Sequence, residues 1–152
     1  MRMSVEVFGP VIQRSVEEVF HYFADFENSP IYGRTVKTVK ETDGSIGVGT
    51  VFAEESKIMG KTMKTETVVT GFDPPSEFAY SGTFENGMTE QARFVFEAVE
   101  GGVRMHGFAD VQVPKVPQFL SPLMAWQMKR QVGPLLEHLR DAIEAAQPES
   151  NT

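Results

Sequence analysis

The sequence predicts an α+β fold: a seven-stranded, curved antiparallel sheet wrapped around a long C-terminal helix, with two short helices after the first strand. Three observations carry this. Val, Thr, Phe and Tyr recur at period two from about residue 35 to residue 113, broken by turn signals. Apolar residues then recur every three or four positions from about Pro117 to Ala146. A Ser-x-x-Glu pair, Ser15 and Glu18, opens a helix ahead of the alternating region.

Taken in order, residues 5–13 (VEVFGPVIQ) read as the first strand, with Gly9 and Pro10 marking a bulge or bend. Ser15 then caps a helix whose stripe is Val16, Val19, Phe20, Phe23 and Ala24. Asn28, Ser29 and Pro30 end it, and a second helical turn follows through Tyr32. Turns at Asp43-Gly44, Met59-Gly60, Asp73-Pro74-Pro75, Asn86-Gly87 and Gly101-Gly102 mark out six strands, near 35–42, 49–59, 61–72, 77–85, 89–99 and 102–113. The stripe of the last helix runs Leu120, Met124, Met128, Val132, Leu135, Leu139, Ile143. Pro134 lies inside it and predicts a kink over Met128–Gly133. The tail QPESNT is expected to fray, so one domain spans 1–147 and residues 148–152 are a disordered tail.

A curved antiparallel sheet needs a cover for its concave face, and only the last helix is long and apolar enough to supply one. The gap between them is filled by side chains or by a ligand.

Composition narrows the function. A chain of 152 residues with 41% hydrophobic and 23% charged residues builds one core. The net charge of −7 argues against nucleic acid and against electrostatic docking on anionic lipid. With no Cys there is neither disulfide nor thiolate chemistry. No segment approaches a membrane span, the first ten residues lack a secretion-type apolar run, and a cytoplasmic location is expected. His21, His106 and His138 are scattered, and no HExxH, phosphate loop or GxSxG occurs, so neither a metal nor a cofactor is expected.

Alternation maps the inward face. It places Phe78, Tyr80, Gly82 and Phe84 inward on the fifth strand, Ala92, Phe94, Phe96 and Ala98 on the sixth, and Val103, Met105, Gly107, Ala109 and Val111 on the seventh. Phe52, Glu54, Ser56 and Ile58 share the inward face of the third, and Met63, Thr65, Thr67 and Val69 that of the fourth. His106 faces out. The small residues Gly82, Gly107 and Ala109 mark either close approach of a ligand or the curvature of the sheet. Glu54 is the inward acid: burial raises a carboxyl pKa toward the range of a general acid or base, unless a Lys partner or a bulge intervenes. Met124 and Met128 suit a cavity wall of variable shape or ordinary core filling. Trp126 lies off the stripe and either seals the cavity mouth or meets a second copy. Val19, Phe20 and Phe23 close the narrow end, and Phe26, Ile31 and Tyr32 form a rim.

The succession SVEEVFHYFADFENSPIY, VKTV, GVGTVF, VVTGFDPP, GGVRM and a closing helix resembles the polyketide cyclase/dehydrase-like branch of the START/Bet v 1-like superfamily, over nearly the whole chain. The resemblance implies a helix-grip fold with a deep cavity between sheet and C-terminal helix. Its members bind lipids, sterols, quinones or plant hormones, or cyclise or dehydrate polyketides. Many relatives carry Trp after the helix pair where this chain has Tyr32. No universal catalytic motif transfers.

The leading expectation is binding of a small, largely hydrophobic ligand (a lipid, polyketide or aromatic metabolite) by Tyr32, Phe52, Glu54, Val69, Tyr80, Phe94, Met105, Met124 and Met128. The alternatives are a cyclase or dehydratase with Glu54 as acid or base and Tyr80 as hydrogen-bond donor, and a regulatory or homodimeric module joined through Trp126.

Overall fold

The computed structural model describes residues 1–58 and 60–146. The expected Met59 end of the third strand and the tail lie outside the described residues. The strands are β1 (Arg2–Phe8), β2 (Lys37–Lys40), β3 (Val51–Ile58), β4 (Lys61–Asp73), β5 (Glu77–Phe84), β6 (Thr89–Val99) and β7 (Gly102–Gln112). The helices are α1 (Val16–Ala24), α2 (Ser29–Tyr32) and α3 (Ser121–Ala145), with 3-10 turns at Phe26–Asn28 and Gln118–Leu120. All strand pairs are antiparallel, in the order β1-β7-β6-β5-β4-β3-β2. The predicted α+β helix-grip architecture is the observed one.

The first strand lies earlier than its prediction over 5–13. Met3, Val5 and Val7 alternate toward the core along β1, and Gly9–Pro10 turns the chain out of the strand. The chain still follows β7: Gly9 N donates to Met105 O at 2.9 Å, and Ile12 and Val103 exchange hydrogen bonds of 2.8 and 2.9 Å. That bridge explains Gly102, where a Cβ would sit 1.9 Å from the Ile12 carbonyl oxygen.

The capping box closes as its spacing predicts: Ser15 Oγ accepts from Glu18 N at 3.2 Å, and Glu18 Oε1 accepts from Ser15 N at 3.4 Å. Val19, Phe20, Phe23 and Ala24 are buried against the sheet. The rings of α1 interlock with those of the strands, with centroid separations of 5.2 Å for Phe20–Phe96 and 4.7 Å for Phe23–Phe94. Phe26 corrects the expected rim. It is fully buried among Phe52, Phe78 and Tyr80, because the 3-10 turn after α1 rotates it under the sheet. Ile31 points outward, 66% exposed.

The last helix runs unbroken for 25 residues through Pro134. It packs on β1 and α2. Burial is deepest in its C-terminal half: Leu136, Leu139 and Ile143 are buried, whereas Met124 and Met128 are half-buried. Arg14 Nη2 on the Glu144 carbonyl and Gln13 N on Glu144 Oε2 (2.8 Å) tie down that end. The N-terminal half therefore spans the sheet without filling the space beneath it.

Candidate functional site

That space is a cavity of about 240 Å³ between the concave sheet and α3. The sheet register explains why it exists. One inward row runs Val69, Tyr80, Ala92, Ala109, Val5 across five strands, so two adjacent alanines leave room in front of them. The neighbouring row places Gly82 between Thr67 and Glu90. A Cβ at Gly82 would meet only ordinary contacts, at 3.5 Å and beyond. Gly107 differs: a Cβ there would lie 2.6 Å from the Phe94 ring, so its lack of a side chain makes room for that ring. Of the three small residues read from the sequence, Gly82 and Ala109 open the cavity and Gly107 closes packing. Phe23 and Phe94 form an aromatic wall, and Met128, Val132, Leu135 and Leu136 of α3 form the roof.

One pole of the cavity is polar. Glu54 points inward from β3, as alternation requires, and its side chain is 2% exposed. Arg34, in the loop after α2, holds it through Nη1–Oε2 at 2.6 Å and Nη2–Oε1 at 3.1 Å. Thr38 Oγ1 donates to Oε2 at 3.0 Å and Thr67 Oγ1 to Oε1 at 2.6 Å. Arg34 Nη1 also donates to Ser29 Oγ at 2.9 Å, and the guanidinium lies 3.7 Å over the Phe26 ring. Burial works against the Arg34 charge, but the Glu54 carboxylate outweighs it, and the Arg34 pKa stands above its ordinary value.

Beside this pair stand Tyr80 and Glu90. Tyr80 Oη donates to Glu90 Oε1 at 3.4 Å, a long hydrogen bond. Burial, then the Glu90 charge, push the Tyr80 pKa up; Arg34 opposes them. Burial likewise raises the Glu90 pKa, against Arg34 and the tyrosine hydrogen bond. Tyr32 Oη and Thr65 Oγ1 are buried with no hydrogen-bond partner among the described residues. Both residues line the cavity.

Of the residues named from the sequence, Tyr32, Glu54, Tyr80, Phe94 and Met128 line the cavity. Phe52, Val69 and Met105 do not: each is at most 1% exposed and packed in the core. Met124 also lies off the lining, one helical turn before Met128 on the less deeply buried part of α3. Trp126 is 55% exposed on the outer face, with Arg130 stacked 4.9 Å from its ring. The partner of Glu54 is an arginine rather than a lysine, brought in by a loop that carries no periodic signal. Glu90 was missed although its signal was present: it shares the parity of Ala92, Phe94 and Phe96 along β6.

A curved antiparallel sheet closed by a C-terminal helix over a half-filled interior defines a START/Bet v 1-like helix-grip protein. The chain belongs to the polyketide cyclase / dehydrase and lipid transport family, whose model matches residues 2–144. Among solved structures it is similar to a START superfamily protein from Mycobacterium smegmatis, with TM-score 0.75 and 16% identity over 94% of this chain and 97% of that one. It is also similar to the Zhui aromatase/cyclase of a Streptomyces species, with TM-score 0.74 and 15% identity over 95% and 94%. A third likeness is to Ara h 8.0201, with TM-score 0.72 and 14% identity over 96% and 100%. At these identities the likeness is one of fold. No match was found among curated proteins. No helix among the described residues is long and apolar enough to cross a membrane.

Proposed function

We propose that the protein binds a small, largely apolar ligand with one polar group in the cavity between sheet and α3. The observation that carries this reading is the cavity itself, about 240 Å³ with apolar walls and a single polar pole. That is just below the roughly 300–1,000 Å³ usual for ligand pockets, which favours a molecule of one to three rings or a short chain over a bulky lipid. Tyr32, Glu54, Tyr80, Phe94 and Met128 are the proposed contacts, joined by Arg34 and Glu90. A cytoplasmic location accompanies this proposal, whereas a homodimer through Trp126 belongs to the alternative reading of a regulatory module.

The test is titration with the neutral fluorophore N-phenyl-1-naphthylamine, read by fluorescence and by thermal shift, alongside native mass spectrometry of the purified protein. Saturable binding that raises the melting temperature is the expected result. A protein that neither retains a small molecule nor binds the probe would overturn the reading.

A cyclase or dehydratase activity is the second reading. The observation that favours it is the Tyr80–Glu90 pair, a hydroxyl and a carboxyl group 3.4 Å apart on the cavity wall. In that reading Glu90 takes the acid-base role first given to Glu54, whose oxygens already accept four hydrogen bonds.

A further inference from the structure

The charges around the cavity do not balance. Arg34 is a cation on its wall, its side chain 15% exposed, and Glu54 neutralises it through the bidentate pair. Two guanidinium and two threonine donors occupy the Glu54 oxygens, leaving that carboxylate little capacity for a ligand. Glu90 is a second carboxyl group on the same wall. Its hydrogen-bond partner is the neutral Tyr80 hydroxyl, and no cation forms an ion pair with it among the described residues. Lys57 also borders the cavity, but it is exposed, where solvent and salt screen its charge.

We propose that the cavity discriminates by charge: it takes a neutral molecule bearing a hydroxyl, phenol or carbonyl group and rejects carboxylates and sulfonates. This rests on the reading that the cavity holds a ligand at all. A buried anion needs a cation or several free donors. Here the cation is already neutralised, and Glu90 would stand against a second negative charge. A neutral polar group meets no such cost. The Tyr80 hydroxyl is held by Glu90 only at 3.4 Å, a long hydrogen bond. An incoming hydroxyl can donate to Glu90, and an incoming carbonyl can accept from Tyr80.

Three probes sharing one ring system isolate the sign of the charge: 2-naphthol, 2-naphthoate and 2-naphthylmethylammonium, each displacing N-phenyl-1-naphthylamine at neutral pH. Naphthol should displace it at about one-tenth of the naphthoate concentration or less, a tenfold ratio being about 1.4 kcal/mol. The ammonium probe, equally costly to desolvate, should outbind naphthoate. In Glu90→Gln the naphthoate penalty should shrink, with naphthol little changed. Naphthoate binding as well as naphthol or the ammonium probe in the wild-type protein overturns the inference, and that comparison needs no variant to fold. A naphthoate penalty unchanged in a folded Glu90→Gln protein also overturns it. If the fluorophore itself fails to bind, the cavity reading falls first and takes this inference with it, a result distinct from unselective binding.

Discussion

The Arg34 guanidinium grips both oxygens of the Glu54 carboxylate, at 2.6 and 3.1 Å, on the wall of the cavity. One partner comes from a loop and the other from the middle of β3, so the pair locks the loop after α2 onto the sheet. Removing one member strands the other. Arg34→Met should cost about 3–5 kcal/mol, because Glu54 would be left buried without its counter-ion. The double variant Arg34→Met/Glu54→Met should recover much of that loss. Urea denaturation of the four proteins in the cycle measures it, and a loss below about 1 kcal/mol in the single variant would mean that the pair is worth no more than an exposed one.

The rings near the N-terminus form core. Phe26→Ala should cost about 3–5 kcal/mol, the range for truncating a buried Phe. It also removes the platform under Arg34. Phe119→Ala, at a ring 79% exposed, should change stability by no more than about 0.5 kcal/mol. Thermal and chemical melts of the two variants side by side check the contrast.

Two glycines on the inward face should respond oppositely. Gly82→Leu adds a side chain on the cavity wall beside Thr65 and Thr67, where a Cβ meets only ordinary contacts, and should abolish fluorophore binding in a protein that still folds. Gly107→Ala drives a methyl group into the Phe94 ring and should destabilise by about 1–3 kcal/mol, the usual cost of overpacking. Binding that survives Gly82→Leu would place the ligand elsewhere.

Glu90 links stability to pH. Its folded-state pKa lies above the ordinary value of 4.5, so the folded protein takes up this proton before the unfolded chain does. Its ionisation therefore weighs against folding at pH above the folded-state pKa. The penalty is relieved as pH falls through that value and is gone below about 4.5. Glu90→Gln should accordingly be more stable than wild type at neutral pH, with the difference vanishing toward pH 4.5. Melting temperatures across pH 4 to 8 test this, and a variant less stable than wild type at neutral pH would contradict the burial of that carboxyl.

Period-two alternation assigned the sheet faces well because one face is buried. A strand shifted by one residue would put Phe78, Tyr80 and Gly82 in water, so the pattern holds the register. Alternation failed only at ends, as at Ala98, which is exposed near the β6–β7 turn. It also offered Glu90, two positions before Ala92. It offered nothing about Arg34, which lies between α2 and β2 where no period applies. Nor did it separate residues that line the cavity from those packed behind it. Phe52 and Glu54 share one face of β3, yet Phe52 is sealed under Phe26 while Glu54 reaches the cavity wall.

By itself the sequence determined the order of the elements, the face each one buries and the closure of the sheet by the last helix. Those are local properties, written in periodicity, capping and turn residues. Only the tertiary structure decided that Arg34 meets Glu54, that Glu90 forms no ion pair among the described residues, and that Phe94 fills the space over Gly107 while Gly82 and Ala109 line the cavity. Ion pairs and cavities depend on where segments far apart in the chain come to rest and on how much of the shared volume their side chains fill, and no single segment encodes that.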